Sequence, residues 1–161
     1  MLGASVKAQG DKPSRPSPAA VVSQKINTGA TITINYSQPS VKGRTIGTDL
    51  EPMDGKVWRM GANEATTFET DKNVTINGKA LPAGKYSLFG LKQGNEFTLI
   101  FNSEWKVWGT QHEKVKERDA LRVPATTGTA GSASEKLTYT IDPDGKVTLL
   151  WGTMAVNFVV Q

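Results

Sequence analysis

Cysteine is absent from the 161 residues of this chain. That gap removes disulfides, thiolate metal sites, iron–sulfur clusters and cysteine nucleophiles together. A domain of this length can bury a core without covalent staples, so the gap leaves the compartment open. Histidine occurs once, as His112, which excludes a metal centre built from several imidazoles of one chain. No cofactor is expected from this residue set. No run approaches the ~20 apolar residues that span a bilayer as a helix. Helix-forming stretches are scarce, and residues 111–118 alone carry the propensity for a turn or two. Charge of one sign is also scarce: 19 basic and 15 acidic residues are interspersed, for a net charge of +4. A nucleic-acid surface needs a clustered basic stripe with interleaved aromatics. None is present, so nucleic acid is not an expected partner.

The usual catalytic signatures are missing as well. There is no G-x-S-x-G elbow and no G-x-G-x-x-G turn. Residues 78–85 resemble a P-loop only superficially, because the spacing is one too long and no Ser or Thr follows Lys85. The Asp142-Pro143-Asp144-Gly145 run starts like a calcium loop but lacks the later ligands and the closing Glu. It reads as a tight turn. Asn35-Tyr36-Ser37 and Asn73-Val74-Thr75 match the glycosylation sequon, yet both lie in strand-like sequence.

What the chain does have is alternation. Ile32, Ile34 and Tyr36 face one way and Thr31, Thr33 and Asn35 the other, the pattern of a half-buried strand. Strands are expected at residues 21–26, 31–36, 65–70 and 73–76, with Asn77-Gly78 as a hairpin signal. Further strands are expected at residues 85–91, 96–101 and 120–124. Three closing strands follow at residues 136–141, 146–151 and 153–160. Residues 126–134, small and polar with two glycines, read as a flexible loop. About eight to ten short strands with turns between them predict one all-β domain over residues 21–161. The expected form is an antiparallel β-sandwich, jelly-roll or Ig-like, with a closed barrel as the alternative.

The interruption is the segment after the second strand, YSQPSVKGRTIGTDLEPMDGKVWRMGANEATTFET, residues 36–70. Pro39, Gly43, Gly47, Pro52, Gly55 and Gly61 forbid a long element there, apart from one short helical turn near residues 47–53. Val41, Ile46, Leu50, Val57 and Trp58 argue that it packs. A segment of this kind in a compact domain usually serves a function. Lys42, Arg44, Trp58, Arg59, Asn63 and Glu64 are the candidate ligand-binding residues. Arg offers a fork of donors to an anion, Trp a stacking face, and Asn and Glu a polar rim. Three readings stand side by side. One is a non-catalytic site for a small polar ligand, anionic or a glycan. The second is a hydrolase with Glu64 as base, Arg59 as positioning cation and Asp49 or Glu51 as partner acid. In the third, Trp58 is core and an Arg59–Glu64 pair pins the segment as scaffold. Trp105 and Trp108 divide similarly, between an exposed platform for sugar rings and a cap on the core.

The N-terminus carries its own signal. Val6-Lys7-Ala8 before Gln9 fits the small-residue pattern of a signal-peptidase cut. Residues 1–8 are too few for a complete leader, so they read as a signal-peptide stump or as a plain tail. Residues 11–20, with three prolines, read as a linker or a strap on the surface.

Taken together, YSQPSVKGR, the W-R-x-G-A-N-E-A-T run, LPAGKYSLF and the later FN…W…WG resemble a bacterial family of secreted proteins. It is known as the domain of unknown function numbered 2911, and the resemblance covers nearly all of residues 17–160. It implies a single β-rich domain exported from a Bacteroidota-type cell, in the periplasm, envelope or medium. It implies no activity and carries no functional residues with it.

Overall fold

The computed structural model describes residues 16–108 and 111–161. The proposed leader, residues 1–8, and the start of the proline-rich segment lie outside the described residues. Among those described, no helix is long and apolar enough to cross a membrane. The Ser17 and Pro18 carbonyls accept hydrogen bonds from Asn63 Nδ2 and the Gln38 amide.

The alternating segments do form strands. β1 (Ala19–Lys25), β2 (Thr31–Ser37), β3 (Val57–Trp58) and β4 (Thr66–Thr70) precede a small hairpin, β5 (Val74–Ile76) and β6 (Lys79–Leu81). β7 (Gly84–Gln93), β8 (Glu96–Asn102), β9 (Asp119–Pro124), β10 (Thr126–Ile141) and β11 (Lys146–Val159) complete the set. The principal antiparallel sheet has the order β1-β2-β4-β7-β8-β9, with β3 also on β7. Its two ends are not paired with each other, so it is an open sheet rather than a barrel. The β10–β11 and β5–β6 hairpins are separate two-stranded sheets.

One core joins them. Ile32, Ile34, Phe68, Leu88, Leu99 and Phe101 of the large sheet pack with Leu137, Tyr139, Leu149, Trp151 and Phe158 of the long hairpin. These two apolar faces, each built by period-two alternation, cover one another as a sandwich. Phe68 meets Phe101 edge-on at 5.1 Å between ring centroids, and Phe101 meets Phe158 at 6.1 Å.

Two expectations are corrected. Residues 126–134 are not a loop, and the last two closing strands are one. β10 begins at Thr126 and pairs with β11, Thr126 opposite Asn157 and Thr129 opposite Met154. The small polar residues there lack an apolar face, and most are exposed. Backbone pairing with a strong neighbour makes them strand where their own pattern does not. The register shifts between Thr129 and Ser134 and again before Thr138, the bulges that let a strand of this length bend. In the central segment, residues 47–49 form a turn closed by a bridge between Ile46 and Leu50. Residues 111–118 form two short 3-10 turns, His112–Lys114 and Lys116–Arg118.

Candidate functional site

β3 and β4 dock one after the other on the same edge of β7. Trp58 pairs with Gly90 and Thr66 with Leu88, so residues 59–65 must loop out of what is otherwise one strand. That geometry explains the dense motif. Met60 and Asn63 take positive φ, 54° and 60°, a conformation uncommon for residues with a Cβ. Gly61 lies against the sheet: a Cβ there would sit 2.7 Å from Thr66 Oγ1 and 3.3 Å from the Ser37 carbonyl. The Met60 carbonyl turns inward and accepts from Thr66 Oγ1 at 3.1 Å and from the Tyr139 hydroxyl at 2.6 Å. Burial pushes that hydroxyl well above the ordinary tyrosine range, with Tyr36 adding to it.

The six candidate residues therefore divide. Trp58 is 2% exposed and belongs to the core, edge-on to Phe97. Arg59 donates through Nη1 to the Asn63 carbonyl at 3.1 Å, while its buried Nε finds no acceptor. Asn63 donates to the Ser17 carbonyl. Arg44 donates to the Val41 and Ser40 carbonyls, and the Lys42 amide bonds the Glu135 carboxylate. Arg44, Trp58, Arg59 and Glu51 line a small cleft of about 180 Å³ beside Trp151. Glu64 lines a different, larger one. Glu64 is thus in a different cleft from Arg59 and Glu51, and Asp49 accepts from the Thr45 amide.

The larger cleft, about 500 Å³, lies on the outer face of the principal sheet. Its floor is set by register. Asn35 pairs with Thr67, Thr67 with Ser87, and Ser87 with Asn102, so one polar row crosses four strands on the face turned from the core. Of these, Asn35 and Thr67 line the cleft. Thr67 is 8% exposed and its hydroxyl has no hydrogen-bond partner. The walls are Glu64, Lys85 and residues 105–108. Trp108 is 45% exposed and tied at its backbone to Glu64 by a β-bridge. Trp105 carries the Lys85 ammonium 4.0 Å from its ring centroid and that of Lys106 at 5.1 Å. Residue spacing alone pairs the two tryptophans but does not bring Asn35 and Thr67 to the same cleft; single polar residues of separate strands meet only once the register is known.

A buried network holds the wall in place. Ser87 Oγ donates to the Glu104 carbonyl at 2.8 Å, and Asn102 Oδ1 accepts from the Glu104 amide. Asn102 Nδ2 donates to the Val115 carbonyl and to Asp119. His112, 5% exposed with its ring tilted against Phe89 at 4.9 Å, shares a 2.8 Å hydrogen bond with Asp119. Arg122 donates to the other Asp119 oxygen through both Nε and Nη2. Burial raises the Asp119 carboxyl, but the hydrogen bonds from Asn102, His112 and Arg122 outweigh it and hold its pKa below the ordinary value. His112 is thus an anchor with a buried ring. Among the described residues, no three His, Asp or Glu side chains gather as a metal site.

No curated protein and no solved structure matches this chain significantly. A family model does, over residues 17–160, which take in every strand and both clefts. The chain belongs to that family, described as a protein of unknown function, DUF2911.

Proposed function

We propose that this protein is an exported, non-catalytic binding module for a small polar ligand, a glycan unit or an anion, held in the outer-face cleft. The observation that carries this reading is Trp108, a large aromatic left 45% exposed over a cleft whose floor holds an unpartnered Thr67 hydroxyl. An exposed indole beside polar groups is suited to stack on a sugar ring while hydroxyls are hydrogen-bonded below. Glu64 supplies a carboxylate at the rim. Trp58, Arg59 and Asn63 serve from beneath, by holding the looped residues that carry Glu64. Export rests on the Val6-Lys7-Ala8 pattern ahead of Gln9.

Thermal unfolding of the wild type and Trp108→Ala, with and without a pool of sugars and anionic metabolites, tests the binding reading. A ligand is expected to raise the wild-type midpoint and leave the variant unmoved. No shift in the wild type with any pool member overturns it. N-terminal sequencing of protein from a periplasmic or culture fraction tests export, with Gln9 as the expected first residue.

A further inference from the structure

The larger cleft gathers positive charge in an unusual way. Lys85 and Lys106 both line it, from separate elements, and both ammonium groups approach one ring, that of Trp105. The distances of 4.0 and 5.1 Å to that centroid put the two charges within roughly a Debye length of each other. Lys85 stands opposite Glu69 in register, yet its ammonium lies over the indole. Among the described residues, neither lysine forms an ion pair. Lys92, Lys116, Arg118 and Arg122, by contrast, each lie against a carboxylate. Two like charges brought together disfavour one another, and an anion between them relieves the cost. The indole fixes where they sit, since a cation over an aromatic face is held by the ring's quadrupole.

We infer that the ligand of this cleft is an acidic sugar, its ring stacked on Trp108 and its carboxylate held between Lys85 and Lys106. This rests on the binding reading above and narrows it to one class. Trp108 supplies the stacking face, and Asn35 and the Thr67 hydroxyl supply polar partners for ring hydroxyls. The paired ammonium groups then choose a uronate over its neutral parent. Glu64, the carboxylate at the same cleft, sets a like-charge limit on where the uronate carboxylate can lie.

The test is calorimetric titration of the full chain with glucose, glucuronate, galactose, galacturonate and acetate, at low and high salt. Each uronate is expected to bind about tenfold or more tightly than its neutral parent, the size of one charge-assisted hydrogen bond. That advantage is expected to shrink at high salt, because exposed charges are screened. The double variant Lys85→Met/Lys106→Met is expected to bind uronate and neutral sugar alike, while Trp108→Ala loses both. Circular dichroism confirms that each variant is folded. Equal binding of uronate and neutral sugar by the wild type overturns the acidic-sugar assignment and leaves the binding reading intact. Acetate binding as tightly as the uronates overturns the sugar part. Binding of no probe overturns both.

Discussion

The Tyr139 hydroxyl donates a 2.6 Å hydrogen bond to the Met60 carbonyl, joining the long hairpin to the loop that interrupts the facing sheet. Tyr36 stands edge-on to Tyr139 at 4.7 Å and its hydroxyl accepts from the Tyr139 amide. The strained Met60 backbone is held in place from across the core. Its left-handed conformation is what turns the carbonyl toward both Tyr139 and Thr66.

Tyr139→Phe removes one of the two donors to a buried carbonyl. A cost of about 1–3 kcal/mol is expected, a fall of several degrees in Tm for a domain of this size. Urea unfolding of both proteins measures it. Ligand binding at the outer-face cleft should be unchanged, since Tyr139 lies on the core side.

Gly61→Ala tests the close approach of the loop to the sheet. The added methyl meets Thr66 Oγ1 and the Ser37 carbonyl, and overpacking of this kind costs about 1–3 kcal/mol. A variant as stable as wild type in thermal unfolding would show that the loop can move aside.

Arg59→Ala and Trp108→Ala should part company. Arg59 spans the loop through the Asn63 carbonyl, so its loss should lower stability by about 1–2 kcal/mol, seen as a lower melting midpoint, with binding at the larger cleft retained. Trp108 is exposed, so its loss should change stability by no more than about 0.5 kcal/mol while binding disappears. Paired melting and titration curves separate the two. Loss of binding with full stability in Arg59→Ala would move the site to the smaller cleft.

Asp119 sets an acid limit on the wall that carries the tryptophans. Its folded pKa lies below the ordinary 3.8. The stability it contributes is therefore present above that value and lost as pH falls through the lowered folded pKa. Wild-type urea midpoints should decline below about pH 4, and Asp119→Asn should flatten that decline while being less stable at neutral pH. Tryptophan fluorescence over the same range reports release of Trp105 and Trp108 from the sheet. An identical acid decline in both proteins would remove Asp119 from this role.

Much of the fold was legible in the chain because strand alternation is a local property. Ile32, Ile34 and Tyr36, the Asn77-Gly78 turn and the alternation of Phe97, Leu99 and Phe101 each declare themselves within a few residues. The stretch at residues 126–134 did not, because its strand character comes from pairing with β11 and not from its own side chains. The central motif was visible as unusual, and its chemistry pointed to a site. The structure spends much of that chemistry on geometry: Trp58 in the core, Asn63 on Ser17, and Arg59 on Asn63.

By itself, then, the sequence determined an all-β chain of family DUF2911, many of its strand positions and the place where the strands break off. Only the tertiary structure decided which polar residues meet. Asn35, Thr67, Lys85 and Trp108 come from three strands and a loop, and no local spacing relates them. Strand register brings them to one face, and register is settled by burying the other face of the sheet, since a slip of one residue would turn the whole core outward.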